Sequence, residues 1–144
     1  MSITAGVRRL AAAGVGSALL ASGVLTMTAG QAHAAAPICT KTVTKWSGSF
    51  SGPVAAAANG SLDCQLGPGN SSPAVKALQN SLRRCNSASL DAVDGIYGPQ
   101  TKAAVAKLQR SKGVSPADGL YGPKTRKVFD WLVTGPQGAA CATF

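Results

Sequence analysis

The sequence predicts an all-α domain, a compact three-helix bundle, on three observations. One loop-to-helix unit occurs twice: Asp94-Gly95-Ile96-Tyr97-Gly98-Pro99-Gln100-Thr101 returns 24 residues later as Asp118-Gly119-Leu120-Tyr121-Gly122-Pro123-Lys124-Thr125. Three segments carry apolar residues at helical spacing, and Gly and Pro punctuate the chain between them. The expected layout is a signal peptide over 1–34 and an irregular arm with a short hairpin over 35–63. A three-helix domain then occupies 64–134, and a disulfide-anchored irregular tail 135–144.

Residues 1–34 read as an export signal. Arg8 and Arg9 form a charged start, Leu10 to Leu25 is an uncharged run of mainly Ala, Gly, Leu and Val, and Ala32-His33-Ala34 offers a small-x-small cleavage site. Ala34-Ala35-Ala36 is a second candidate. The run is shorter than the ~20 residues of a spanning helix, so cleavage after Sec export and no stable membrane insertion are expected.

Cleavage would leave 12 Lys and Arg against 5 Asp, a net charge of +7. It would also remove the one histidine, and the chain contains no glutamate. The basic residues are scattered without interleaved aromatics, which reads as a solvated surface, and no nucleic-acid partner is expected. Without His, Glu or a free thiol, a metal triad or a Ser-His pair cannot be assembled, so no catalytic residue, metal or cofactor is expected. Asp94 and Asp118 could act only as a pair already committed to turns, and no accompanying hydrolase domain is expected.

Cys39, Cys64, Cys85 and Cys141 imply two disulfides in an exported chain, with three connectivities open. Cys64–Cys85 with Cys39–Cys141 is the favoured pairing, and reduction is expected to lower the melting temperature substantially.

Along the arm, Thr42-Val43-Thr44 is strand-like and Val54 to Ala58 is a candidate partner, with turn signals at Gly52-Pro53 and Asn59-Gly60. Trp46 and Phe50 are expected to pack against the domain. Ser71 or Ser72 can cap a helix that opens at Pro73 and runs to about Arg84, with Val75, Leu78 and Leu82 on its apolar face. A second helix is predicted from Pro99 to about Lys112, with Ala104, Val105 and Leu108 inward and Gly113 as its C-cap. A third is predicted from Pro123 to about Thr134 through Val128, Phe129 and Leu132, with Trp131 at a flank, stopped by Gly135-Pro136. Ile96 and Leu120 complete the expected core. Val75-x-x-Leu78-Gln79 recurs as Val105-x-x-Leu108-Gln109, so the first two helices also resemble each other.

These motifs together resemble the three-helix peptidoglycan-binding domain that accompanies bacterial cell-wall hydrolases and also occurs alone in secreted proteins. Gly67, Val75, Leu78-Gln79, Asp94 to Thr101, Ala104-Val105, Leu108-Gln109 and Asp118 to Thr125 carry the resemblance, over about Leu66 to Val133. Lys127-Val128-Phe129 departs from the family pattern, and the cysteine-tethered arm lies outside it.

The resemblance implies a secreted or wall-associated module, monomeric and non-catalytic, that binds glycan or stem peptide in a shallow groove beside the repeated loops. A hydrolase acting in trans is a candidate partner. On physical grounds the ligand-binding candidates are Asp94, Gly95, Tyr97, Gly98, Asp118, Gly119, Tyr121 and Gly122. Tyr can offer a flat face to a sugar, and exposed amides suit carboxylates. Turn chemistry and wedging between helices account for the same residues, and Gln79 and Gln109 fit either ligand reach or solvated helix positions. The alternative function is a basic secreted effector, an inhibitor or antimicrobial, acting on a partner protein or anionic surface.

Overall fold

A computed structural model describes residues 35–144, and the predicted signal peptide lies outside the described residues. Four strands and three helices follow in the order β1 (Lys41–Ser47), β2 (Phe50–Ala56), α1 (Pro73–Cys85), α2 (Pro99–Ser111), α3 (Pro123–Arg126), β3 (Trp131–Gly135) and β4 (Gly138–Ala142). The strands form one antiparallel sheet in the order β1-β2-β3-β4. This overturns the all-α expectation: the domain is α+β, with α1 packed against the sheet.

The helices begin where capping chemistry places them. Ser72 accepts the Val75 N–H at 3.3 Å and Pro73 takes the first helical position. Arg83 and Arg84 sit in the last turn of α1, favourable to its dipole. Pro99 and Pro123 open α2 and α3 in the same way.

The third helix is where the prediction fails. α3 is a single turn of four residues, and the chain then becomes β3 and β4 instead of a long helix and an irregular tail. Val128, Phe129 and Leu132 fit a helical stripe, but Phe129, Trp131 and Val133 fit a period of two, and these are the three that are buried. β-branched and aromatic residues suit a pleated strand, and β2 and β4 supply its pairing partners. Helix propensity in so short a segment is easily outvoted.

The N-terminal hairpin is longer than its sequence signals. Lys41↔Ala56 through Ser47↔Phe50 are all paired, so Gly52-Pro53 lies inside β2 and the turn is Gly48-Ser49. Gly52 is required there because a Cβ would collide with the Leu132 carbonyl oxygen of β3.

The disulfides are Cys39–Cys64 and Cys85–Cys141, not the favoured Cys64–Cys85 and Cys39–Cys141. Main-chain bonds set the first: Cys39 N–H donates to Gln65 O, and Gln65 N–H to Pro37 O, aligning the two segments side by side. The second follows from β3, which pairs with β4 and packs on α1, bringing Cys141 to the end of that helix.

The core joins both halves. Val54 and Ala55 of β2, Val75, Leu78 and Leu82 of α1, and Val105 and Leu108 of α2 meet Tyr121, Phe129 and Trp131. The last three rings form a cluster, with Tyr121 edge-on to Phe129 and to Trp131 at 5.5 and 5.8 Å. No helix among the described residues is long and apolar enough to cross a membrane.

Candidate functional site

Each Asp-Gly loop is built on one glutamine of the preceding helix. Gln79 Oε1 accepts the Gly95 N–H at 2.8 Å, while its Nε2 faces Asp94 Oδ1, Ile96 O and Thr101 Oγ1 at 3.0, 2.9 and 3.0 Å. Gln109 repeats the pattern with the Gly119 N–H at 2.8 Å, and with Asp118 Oδ1, Leu120 O and Thr125 Oγ1 at 3.3, 2.8 and 3.0 Å. Two N–H groups are thus shared among three oxygens in each unit. Both glutamines are buried, which makes them structural pins and not the solvated or ligand-reaching residues considered above. The repeat of Leu-Gln at both helices was the signal that could have identified them.

Asp94 and Asp118 close Asx turns, accepting the N–H groups of Ile96 and Leu120 at 2.9 Å each. The Ile96 amide, seconded by Gln79, holds the Asp94 carboxyl below the usual carboxylate range. Gly95 and Gly119 have φ of +81° and +74°, in the left-handed region that turn geometry demands. Gly98 and Gly122 are the extended N-caps of α2 and α3.

The tyrosines face inward. Tyr97 is 1 % and Tyr121 0 % exposed, so neither ring presents a flat surface to a ligand. Burial pushes both hydroxyls well above the usual phenol range, keeping them neutral. Tyr97 donates its hydroxyl to Gly119 O at 2.7 Å and thereby ties the first loop to the second.

The neighbouring positions face outward. Ile96 is 53 % and Leu120 40 % exposed, the reverse of their expected core placement. The loop after Asp-Gly is extended, with bridges Ser71↔Ile96 and Leu66↔Tyr121, so successive side chains take opposite sides. A period-two reading of Gly-x-Tyr-Gly would have found this inversion.

Three shallow depressions border the first loop. Lys76, Ser72 and Asp94 line one of about 260 Å³, and Asp94, Ile96 and Gln100 one of about 180 Å³. Gln100, Ala104 and Lys107 line a third of about 270 Å³, so Asp94 and Gln100 each border two neighbours. Beside the second loop, Leu120 joins Ile38, Gly67 and Pro68 around a depression of about 220 Å³. Each loop therefore offers one aliphatic side chain beside a concave surface, and the first adds a carboxylate and two flanking cations. No group of three or more metal-ligating side chains occurs among the described residues.

A family model described as "Putative peptidoglycan binding domain" matches residues 71–129, a span that contains both glutamine-pinned loops. No curated protein and no solved structure matches the chain.

Proposed function

We propose that this protein, whose residues 71–129 match the model of a peptidoglycan-binding domain, is a secreted, non-catalytic module that binds cell-wall peptidoglycan beside its two repeated loops. The family match carries this reading, and the loop geometry supports placing the contact beside the loops. The buried glutamines hold the two loops in fixed shape, so a ligand would meet a preorganised surface and little ordering cost would be incurred on binding. Ile96 and Leu120 supply apolar contact, Lys76 and Lys107 suit stem-peptide carboxylates, and Asp94 suits an amine. Tyr97 and Tyr121 position the loops from below.

Two disulfides suit an oxidising, extracellular setting. After the predicted cleavage the chain has neither His nor Glu, leaving few groups for acid–base chemistry. Retention on sacculi stripped of teichoic acid, at both 0.15 M and 0.5 M salt, is the expected result, since groove binding outlasts a Debye length that falls below ~8 Å. Retention only at the lower salt would point to charge capture, and loss at both would overturn wall binding.

A further inference from the structure

Trp46 stands apart from the packing expected of it. It is 70 % exposed on β1, an edge strand of the sheet. Phe50, by contrast, is half-buried and lies over Gly135, where a Cβ would come within 2.9 Å of the ring.

The pairing register places Trp46 opposite Ser51, Ser51 opposite Thr134, and Thr134 opposite Ala139. Directly opposed residues of antiparallel strands share a face. One row therefore crosses all four strands with an indole, two hydroxyls and a methyl, and only Ser51 among them is half-buried. Two residues along β1, on the same face, Thr44 pairs with Pro53 and both are exposed. Lys41 and Lys45 fall on the opposite face by alternation. In a strongly basic chain, this row and its neighbour carry no charge.

That chemistry selects its occupant. Polyanions and stem-peptide carboxylates would require cations, which the strand residues of these two rows do not supply. A lipid surface or a second protein would require more than one large apolar side chain. A neutral sugar ring matches it, stacking its C–H face on the indole while its hydroxyl and acetamido groups reach Ser51, Thr134 and Thr44. We propose that this sheet face is a second binding site, for the neutral glycan strand of the wall polymer. The inference rests on the wall-binding reading, yet Trp46, Ser51, Thr134 and Ala139 all lie outside the matched residues 71–129. Two sites on one polymer would raise retention by effective concentration without any new contact in the loops.

The test uses the secreted protein with two probes: peptide-free glycan strands released from sacculi by amidase, read at 0.5 M salt because hydrolysis leaves a carboxylate on each lactyl group, and intact sacculi. Trp131 is fully buried, so a change in indole fluorescence on glycan addition is expected to come from Trp46. Trp46→Ala and Thr134→Arg are each expected to weaken glycan-strand binding about tenfold with the melting temperature unchanged. Trp46→Ala should still be retained on intact sacculi through the loops. Wild-type binding to sacculi but not to glycan strands would overturn the inference alone, as would glycan binding that survives both substitutions. Failure of the wild type to bind either probe would overturn the wall reading and this site with it.

Discussion

Tyr97 and Gly119 join the two copies of the repeat. The first loop's buried hydroxyl donates to the second loop's carbonyl at 2.7 Å, so neither loop is held by its own helix alone. Tyr97→Phe keeps the ring and leaves the Gly119 carbonyl unpaired. A loss of about 1–3 kcal/mol is expected in thermal or denaturant unfolding. Binding to sacculi should persist, because the ring lies beneath the surface; a binding defect without a stability defect would place Tyr97 in the ligand site.

Gln79→Glu converts a donor into a carboxylate facing Asp94 Oδ1, the Ile96 carbonyl and Thr101 Oγ1. An unpaired buried charge of this kind should cost about 3 kcal/mol or more at pH 7. Burial and the Asp94 charge would raise the new group's pKa, so the deficit should shrink as pH falls through that raised value and the carboxyl regains a proton to donate. Melting curves of mutant and wild type at pH 7 and pH 5 check this, and a deficit independent of pH would refute it.

Asp94 gives the wild type an acid-sensitive contact. Its carboxyl lies below the ordinary value because the Ile96 amide and Gln79 favour the ionised form. The associated stability is therefore complete above the unfolded-state pKa of about 4 and is lost as pH falls through the lower folded-state value. Asp94→Asn should flatten this part of the acid limb in a series of melting curves from pH 6 to pH 2.

The two loop glycines should differ in cost. Both need positive φ, so alanine at either position should lose about 1–2 kcal/mol. A Cβ at Gly119 would also lie 2.6 Å from the Lys102 carbonyl oxygen, whereas at Gly95 the nearest atom is 3.5 Å away. Gly119→Ala is expected to lower the melting temperature more than Gly95→Ala; the reverse order would contradict the packing described here.

The disulfides span sequence separations of 25 and 56. Restricting the unfolded chain over such loops stabilises by about 3–4 kcal/mol each, so reduction should lower the melting temperature markedly. Loss of Cys85–Cys141 should expose β4 first, an edge strand paired on one side only, and hydrogen exchange at Gly138–Ala142 would report it.

Local chemistry made much of the helical half legible. Ser72-Pro73, Gly98-Pro99 and Gly122-Pro123 mark helix starts because caps and proline act within one turn. The Asp-Gly pairs mark positive-φ turns for the same reason. The repeat pointed to the family whose model matches residues 71–129. It did not reveal that Gln79 and Gln109 are buried pins, since a glutamine on a helix reads as solvated until a loop folds over it.

By itself, then, the sequence determined what adjacent residues decide: three helix entries, two Asp-Gly turns and an even cysteine count. Tertiary structure alone decided the rest. Trp131–Gly135 is a strand because β2 and β4 complete its hydrogen bonds, and those partners lie dozens and a few residues away respectively. Cys39 pairs with Cys64, and Cys85 with Cys141, because a bridge and a sheet bring them together. Tyr97 went inside and Ile96 outside, against their hydropathy, because an extended loop pinned by Gln79 allows one side chain of each adjacent pair to face the core. Burial is a property of the assembled surface, and no residue's own chemistry contains it.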